Sequence, residues 1–417
     1  MDSLALFKNR RERVLFFLFL LFVFLFNLYL NYLNYKEFTK EELFKTNATV
    51  LNIYEKKNFI VLKLKTDDFV CFTSTSKDIE LTKLQNINLF LITKDIEFYD
   101  YLKGFYIKNF NIIKTKPNNT IKNNIYQNIY SQHNNSKNEH LSSLYSALFL
   151  AIPVDSNLRD VFASFGVSHL IAISGFHLGV ISLVLYFVLN IIYKPIHQRY
   201  FPFRNKRYDI LLFTIVVMFI YLLFVDLIPS LLRAFVMFIF GIFLLRNNIK
   251  LLSFETLFII VAIIIAIFPK LLFSLSLWFS VSGVFYIFLF IKYFKDLNRY
   301  VQFIIFNFWI YFAINPITHY FFGTTAIEQL YSPIVTVLFT AFYPITAFLH
   351  IINFGWIFDN ILLKAVELNI EIKNIFTPLW FFILYILVSF LSITNKKGFI
   401  VLNTLFILFN LWLFLFN

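Results

Sequence analysis

Runs of about twenty apolar residues recur along this chain, and a helix of that length matches the hydrocarbon thickness of a bilayer. With 59% hydrophobic and only 15% charged residues, the sequence has too little polar surface to enclose such runs in a water-facing globule. The pattern predicts a polytopic α-helical membrane protein. The first run, Val14 to Leu33, follows Lys8, Arg10, Arg11 and Arg13. It is too long for a cleavable leader and lacks a small-residue cleavage site, so residues 1–35 are expected to form a cytosolic basic end and a first span. Further spans are expected near Val167–Tyr193, Asp209–Leu227, Leu231–Leu245, Leu251–Phe268, Leu271–Ile291, Val301–Phe321, Leu330–Ile352, Phe376–Ile393 and Phe399–Phe416. Lys194, Arg199, Arg204, Lys206 and Arg207 share one loop, and Lys292, Lys295 and Arg299 another, so both belong in the cytosol by the positive-inside rule. Carried past residue 350, the same orientation leaves Lys396 and Lys397 outside, a conflict that leaves the last three spans and the side of the C-terminus open.

Residues 36–116 differ in character. Ile60, Leu62 and Leu64 alternate with Val61, Lys63 and Lys65, and Ile87, Leu89 and Leu91 repeat the two-residue period of a half-buried strand. They predict a small all-β, OB-like domain of about five strands on the extracytoplasmic, periplasmic side, where it suits single-stranded nucleic acid, sugar or protein ligands alike. Residues 117–166 read as a basic, Asn-rich connector followed by amphipathic helix lying along the surface over Leu141 to Phe165. Between Tyr101 and His140, Lys103, Lys108, Lys114, Lys116, Lys122 and Lys137 face a single acid, Glu139. Such a strip is either a solvated linker or a contact for a phosphate backbone, for which Lys108, Lys114, Lys116, Lys122 and Arg159 are the candidates. The single cysteine, Cys71, rules out an internal disulfide, and no Cys/His cluster has zinc spacing, so no metal site is expected. The net charge of +13 fits an anionic partner, but basic cytosolic loops alone produce an excess of this sign.

The remaining residues, 167–417, are expected to form one multi-helix domain, and its polar side chains carry the information. The segment Ser168-His169-Leu-Ile-Ala-Ile-Ser174-Gly175-Phe-His177-Leu-Gly179 is apolar enough to enter a membrane yet holds two histidines, two serines and two glycines. Read as one helix, it places Ser174 and His177 on a common face and pairs Gly175 with Gly179 as a small-xxx-small contact for a neighbouring helix. These groups either hydrogen-bond adjacent helices as packing contacts or line a wet path. A second block, Asp226-Leu-Ile-Pro229-Ser230-Leu-Leu-Arg233, starts a helix at Pro229 and puts Arg233 one turn inside the membrane, with Asp226 its nearest candidate partner. Ser274, Ser276, Ser280 and Ser282 thread another span, and Pro333 and Pro344 interrupt a later one. Broken helices border cavities more often than lipid.

The string from His169 to Gly179 resembles the signature of the ComEC family of competence proteins, in which a His-Leu-Leu-Ala-Ile-Ser-Gly-Leu-His-Val-Gly pattern opens the membrane core. Leu158-Arg159 to Gly166 resembles the approach to that signature, and Pro229 to Met237 the family's second block. The resemblance implies an inner-membrane channel for uptake of single-stranded DNA into the cytoplasm during natural transformation. His169, Ser174, Gly175, His177, Gly179, Asp226, Ser230, Arg233 and Ser280 are then its candidate path-lining residues. It further implies a periplasmic DNA receptor and a cytosolic helicase or ATPase as partners, since no nucleotide-binding Gly-x-x-x-x-Gly-Lys-Ser/Thr loop occurs here. Two departures stand out. Trp278 replaces a glutamine in the family's Gly-Phe-Gln-Leu-Ser element, and the His-x-His-x-Asp-His of a metallo-β-lactamase domain is missing, so strand removal calls for a separate nuclease. No catalytic residue and no cofactor is expected. Two other readings remain: a transporter of small anionic solutes, and an intramembrane serine hydrolase using Ser174, for which the base is expected from a different helix than the one bearing His177.

Overall fold

The computed structural model describes residues 9–66, 68–79, 81–94, 96–115, 120–133, 139–246, 253–368 and 370–415. The chain divides into two compact units, residues 6–156 with 262–274, and residues 157–261 with 275–417.

The first unit opens with α1 (Arg10–Phe38), a 29-residue apolar helix that runs straight into a β sheet. Its strands are β1 (Leu43–Glu55), β2 (Ile60–Lys65), β3 (Val70–Thr75), β4 (Asn86–Ile92), β5 (Phe105–Tyr106) and β6 (Asn109–Lys114), with the short helix α2 (Phe98–Lys103) between β4 and β5. The order across the sheet is β5-β3-β2-β1-β4-β6, and every pairing is antiparallel except β3 with β5. Only Ile107 and Lys108 separate β5 from β6, yet the two strands occupy opposite ends of that order. The sheet therefore curls until its edges meet. Ile107 N donates to Phe72 O (2.8 Å), Ile92 N to Lys108 O (2.9 Å), and Asn109 Nδ2 to Thr73 Oγ1 and Ser74 O (both 2.7 Å). Closure of this kind removes the exposed edges that make open sheets prone to aggregate.

The expected alternation holds residue by residue: Leu62, Leu64, Ile87, Leu89 and Leu91 are fully buried inside the curled sheet with Val50 and Cys71. The last turn of α1 is part of the same core. Phe38 lies between Phe44, Phe69, Tyr101 and Phe105, with ring centroids 4.7 to 5.8 Å away, and Tyr35 donates its hydroxyl to Ile96 O (2.9 Å). The link residues 262–274 join this core as well: Lys270 Nζ donates to Asp68 O (3.1 Å) and sits 4.4 Å from the centre of the Tyr101 ring.

Two further helices complete the unit, α3 (Ile121–Gln132), capped by Thr120 Oγ1 accepting from Asn123 N (3.3 Å), and α4 (Glu139–Leu150). Sequence reading placed α4 along a surface as amphipathic helix. Instead Leu141 to Leu148 are buried one after another, because the polar residues among them are serines and a tyrosine, small or apolar enough in body to pack against α3 and its neighbours.

The second unit contains α5 (Ser156–Ser164), α6 (Ser168–Ile171), α7 (Gly175–Tyr200), α8 (Lys206–Phe224), α9 (Pro229–Arg246), α10 (Phe254–Ile267), α11 (Leu275–Phe294), α12 (Arg299–Phe321), α13 (Ser332–Ile351), α14 (Asp359–Val366), α15 (Leu379–Leu391) and α16 (Lys396–Leu415). A two-stranded ribbon joins β7 (Thr324–Thr325) to β8 (Lys373–Asn374). Ser156 and the end of α10 belong to the first unit. Among the described residues, seven helical segments are long and apolar enough to cross a membrane: α1, α7, α8, α11, α12, Ile327–Ile351 and α16. Shorter apolar helices occupy the positions of three other expected spans, at α9, α10 and α15. The protein is a multi-pass membrane protein with an N-terminal β sheet.

Tyr286, Trp309, Tyr385 and Phe399 centre an aromatic core between α11, α12, α15 and α16. Polar contacts there repair a break in the helix ladder. Pro316 has no N–H, so the carbonyl of Phe312, four residues earlier, lacks its helical donor. Asn410 Nδ2 on α16 supplies one (3.0 Å), while Asn410 Oδ1 accepts from Asn315 Nδ2 (2.7 Å), and Tyr385 donates its hydroxyl to Ala313 O (2.6 Å).

Two outcomes check this account. Phe38→Ala should destabilise the β sheet by about 3–5 kcal/mol, the usual cost of emptying a buried aromatic site, read as a lowered denaturation midpoint. Burial pushes the Cys71 thiol up to about 12, so it should resist alkylation at pH 8 in folded protein and react after unfolding. Because the folded thiol holds its proton more tightly, its stabilising contribution should fade as pH rises from about 9 towards 12.

Candidate functional site

The run from His169 to Gly179, expected as part of one continuous span, is broken. α6 ends at Ile171, Ala172 to Ser174 are unwound, and a new helix starts at Gly175. The break is built by capping. Ser174 is the N-cap of α7: its Oγ accepts from Phe176 N (3.3 Å), and the Ser174 N–H donates to His177 Nδ1 (3.2 Å). Ser174 and His177 therefore do meet, as the two halves of a capping box instead of neighbours on a helix face. Since Nδ1 accepts a backbone proton, the ring's own proton is on Nε2. That atom is buried, and the ring stands edge-on to Phe339 and Tyr343 of α13, 5.4 and 4.7 Å between centroids. His169, on the other side of the break, is exposed and contacts Thr336 Oγ1 of α13 through Nε2 (3.4 Å).

The start of α9 holds the unwound segment in place. Ser230 Oγ donates to Ile173 O (2.5 Å), satisfying a carbonyl that no longer belongs to a helix. One turn on, Ala234 packs against Gly175 so closely that a Cβ there would lie 3.2 Å from the Ala234 Cβ. Gly179 shares in none of this: a Cβ on it meets nothing within 4 Å. The expected Gly175/Gly179 pair is thus one contact glycine and one open position.

Arg233 is 2% exposed. The sequence suggested Asp226 as its partner, but no ion pair joins them among the described residues. Asp226 sits exposed at the α8–α9 turn with φ of +66°, next to Leu227 at +52°, a strained pair. Arg233 Nη1 donates instead to Ser276 O in the first turn of α11, and Nε has no partner. Ser280, one turn further along α11, is half-buried. α7, α9 and α11 thus open close together, linked through Ile173, Ser230, Arg233, Ala234 and Ser276. Each helix N-terminus carries a positive partial charge, so the site concentrates positive potential in a region where lipid offers no counter-charge.

This geometry also corrects the expectation that His177 and Arg233 line an open path. Both are enclosed in helix contacts, because Phe339 and Tyr343 cover the first and α11 covers the second. Ser174, Gly175, Ser230 and Ser280 are partly exposed, and His169, Gly179 and Asp226 more so. Of the basic candidates, Lys108 and Lys114 are exposed at the ends of β6, Lys122 is half-exposed on α3, and Arg159 is exposed on α5. Lys116 lies outside the described residues. Phe339 and Tyr343 carried no signal in the sequence, where they read as span filler; Ser276 stood out as one of four serines in its span, but what it contributes is a backbone carbonyl that any residue would supply.

A Gly175→Val substitution should cost about 1–3 kcal/mol by forcing α7 and α9 apart. Gly179→Ala should be neutral or slightly stabilising, since alanine is favoured over glycine in helices by about 1 kcal/mol. Thermal unfolding in detergent distinguishes the two.

No curated protein and no solved structure matches the chain. The Competence protein family model matches residues 153–416, which include α5 to α16. The chain therefore belongs to the competence protein family, and its role lies in competence and DNA uptake.

Proposed function

We propose that the protein is the inner-membrane channel that carries one strand of incoming DNA into the cytoplasm during natural transformation, with no enzymatic step of its own. The observation that carries this reading is the meeting of three helix N-termini around a buried arginine. A polynucleotide bears a charge at every phosphate, and a path through lipid must answer it with fixed donors and cations that bind weakly enough to release. The broken α6–α7 segment follows the same logic as discontinuous helices in transporters, whose N-terminal ends face anionic groups. With His177 and Arg233 enclosed, the conformation described is a closed one, and passage requires α13 to move away from α7.

The β unit supports the reading. Taking β5 and β6 as one bent strand, its order β1-β2-β3-β5/β6-β4 with β3 and β5 parallel is OB-like, an architecture suited to single strands. We place it on the periplasmic side with the N-terminus in the cytosol, which puts Lys108 and Lys114 where an entering strand arrives. A periplasmic receptor, a cytosolic helicase or ATPase and a separate nuclease complete the scheme. A small-anion transporter would use the same N-termini. The hydrolase reading gains from Ser174 Oγ lying 3.2 Å from His177 Nδ1, but that nitrogen already accepts the Ser174 N–H and the ring is covered.

Deleting the gene in a transformable host and scoring two stages separately tests the proposal. Labelled DNA should still reach the periplasm while recombinants disappear. Unchanged recombinant yield overturns it, and Ser174-dependent cleavage of a membrane substrate by purified protein would favour the hydrolase.

A further inference from the structure

Between α13 and β8 the chain covers the height of the helix bundle without a spanning helix. α12 fixes the two ends of reference. At its far end, β7 follows Phe321 and pairs with β8, Ile375 N donates to Gly323 O (2.7 Å), and Thr377 N donates to His319 O (3.1 Å). At its near end, the α15–α16 turn meets α11, with Tyr293 donating its hydroxyl to Ser392 O (2.7 Å), Lys292 Nζ donating to Ile393 O, and Tyr293 stacked on Phe399. α13 starts beside β7 and descends its full length, about 30 Å at 1.5 Å per residue. The chain is back beside β7 by Lys373, so it has returned the same distance.

The return path is visible. Asn353, at φ of +60°, reverses the chain, and the 3-10 turn Gly355–Phe358 runs back along α13 until the Phe358 ring lies 5.5 Å from Phe342, about 13 Å up the helix from Ile351. α14 follows. Asn360 and Lys364 are exposed one turn apart on it and Glu367 follows at the next turn, so the three form one polar stripe, which Ile361 adjoins three residues before Lys364. A helix lying flat on the membrane surface would share that pattern, but it would not bring Phe358 to the middle of α13 or Lys373 to the opposite end.

We propose that residues 353–368 and 370–372 recross the membrane as a discontinuous segment, its polar stripe of Asn360, Lys364 and Glu367 lining a water-filled path through the domain. Charged groups at that depth are stable only facing water or partners, and non-helical backbone persists there only where it is enclosed or wet. The extra crossing resolves the conflict in the sequence-based topology. It returns Lys396 and Lys397 to the side of Lys292, Lys295 and Arg299, where positive charge belongs. The path's cargo rests on the transport reading above; its existence does not.

Because Cys71 is the only cysteine, single-cysteine variants in a Cys71→Ser background report the path directly. In oriented vesicles treated with a membrane-impermeant maleimide, Asn374→Cys should react from one side, and Asn395→Cys and Asp296→Cys from the other. A small cationic methanethiosulfonate should modify Lys364→Cys at least tenfold faster than Leu338→Cys, an exposed apolar position on the spanning helix α13. Asn360→Cys gives a second polar reporter should Lys364→Cys fail to accumulate. Labelling of positions 374 and 395 from one side, or equal rates at 338 and 364, overturns the proposal. If labelling follows expectation while the deletion strain still yields recombinants, the crossing stands and only the DNA-channel reading falls.

Discussion

The constraint on which this structure depends is that peptide groups inside a bilayer have no water to turn to, so each interruption of a helix must be met by another part of the protein. Two interruptions show how it is done. At Pro316 the orphaned Phe312 carbonyl is met by Asn410 from α16, which ties the last helix to α12. At Ala172–Ser174 the Ile173 carbonyl is met by Ser230, and the first turn of α7 is capped by its own Ser174 and His177. In both places the repair decides which helices become neighbours. The polar residues of the bundle thus do as much to fix its arrangement as the aromatic packing around Trp309.

Seen this way, the signature residues have two separable roles. Ser174, Gly175, His177 and Ser230 build a helix start where none would form unaided. Arg233 then brings a charge to the place they create, held among the described residues by one bond to a carbonyl of α11. A guanidinium with so few partners is costly in a dry environment, and a cost maintained at one point in a structure is better understood through what that point does than through stability.

Much of this was legible in the residues. Apolar length located the spans, the two-residue period at Ile60–Leu64 and Ile87–Leu91 located strands, and Pro229 marked a helix start. The string from His169 to Gly179 was specific enough to suggest the family that the matched region shows. What stayed hidden has physical reasons. The break after Ile171 leaves no trace in hydropathy, because Ala172 and Ile173 are as apolar as any helical residue and only the cap chemistry of Ser174 betrays it. The partner of Arg233 was sought among acids close in sequence, whereas packing delivers a backbone carbonyl from a distant helix. The parity of the last spans could not be settled because the chain beyond α13 is short, amphipathic and partly charged, which a search for uniformly apolar runs passes over.

The insertion of Phe38 into the β core has a mechanical corollary. With no slack between the end of α1 and the ring cluster that receives it, the anchor and the curled sheet move as one piece, like a stem and its bulb. The elevation of that bulb above the lipid surface is therefore set by how deeply α1 seats in the hydrocarbon, and a thicker bilayer would draw it closer to the membrane while a thinner one would lift it away.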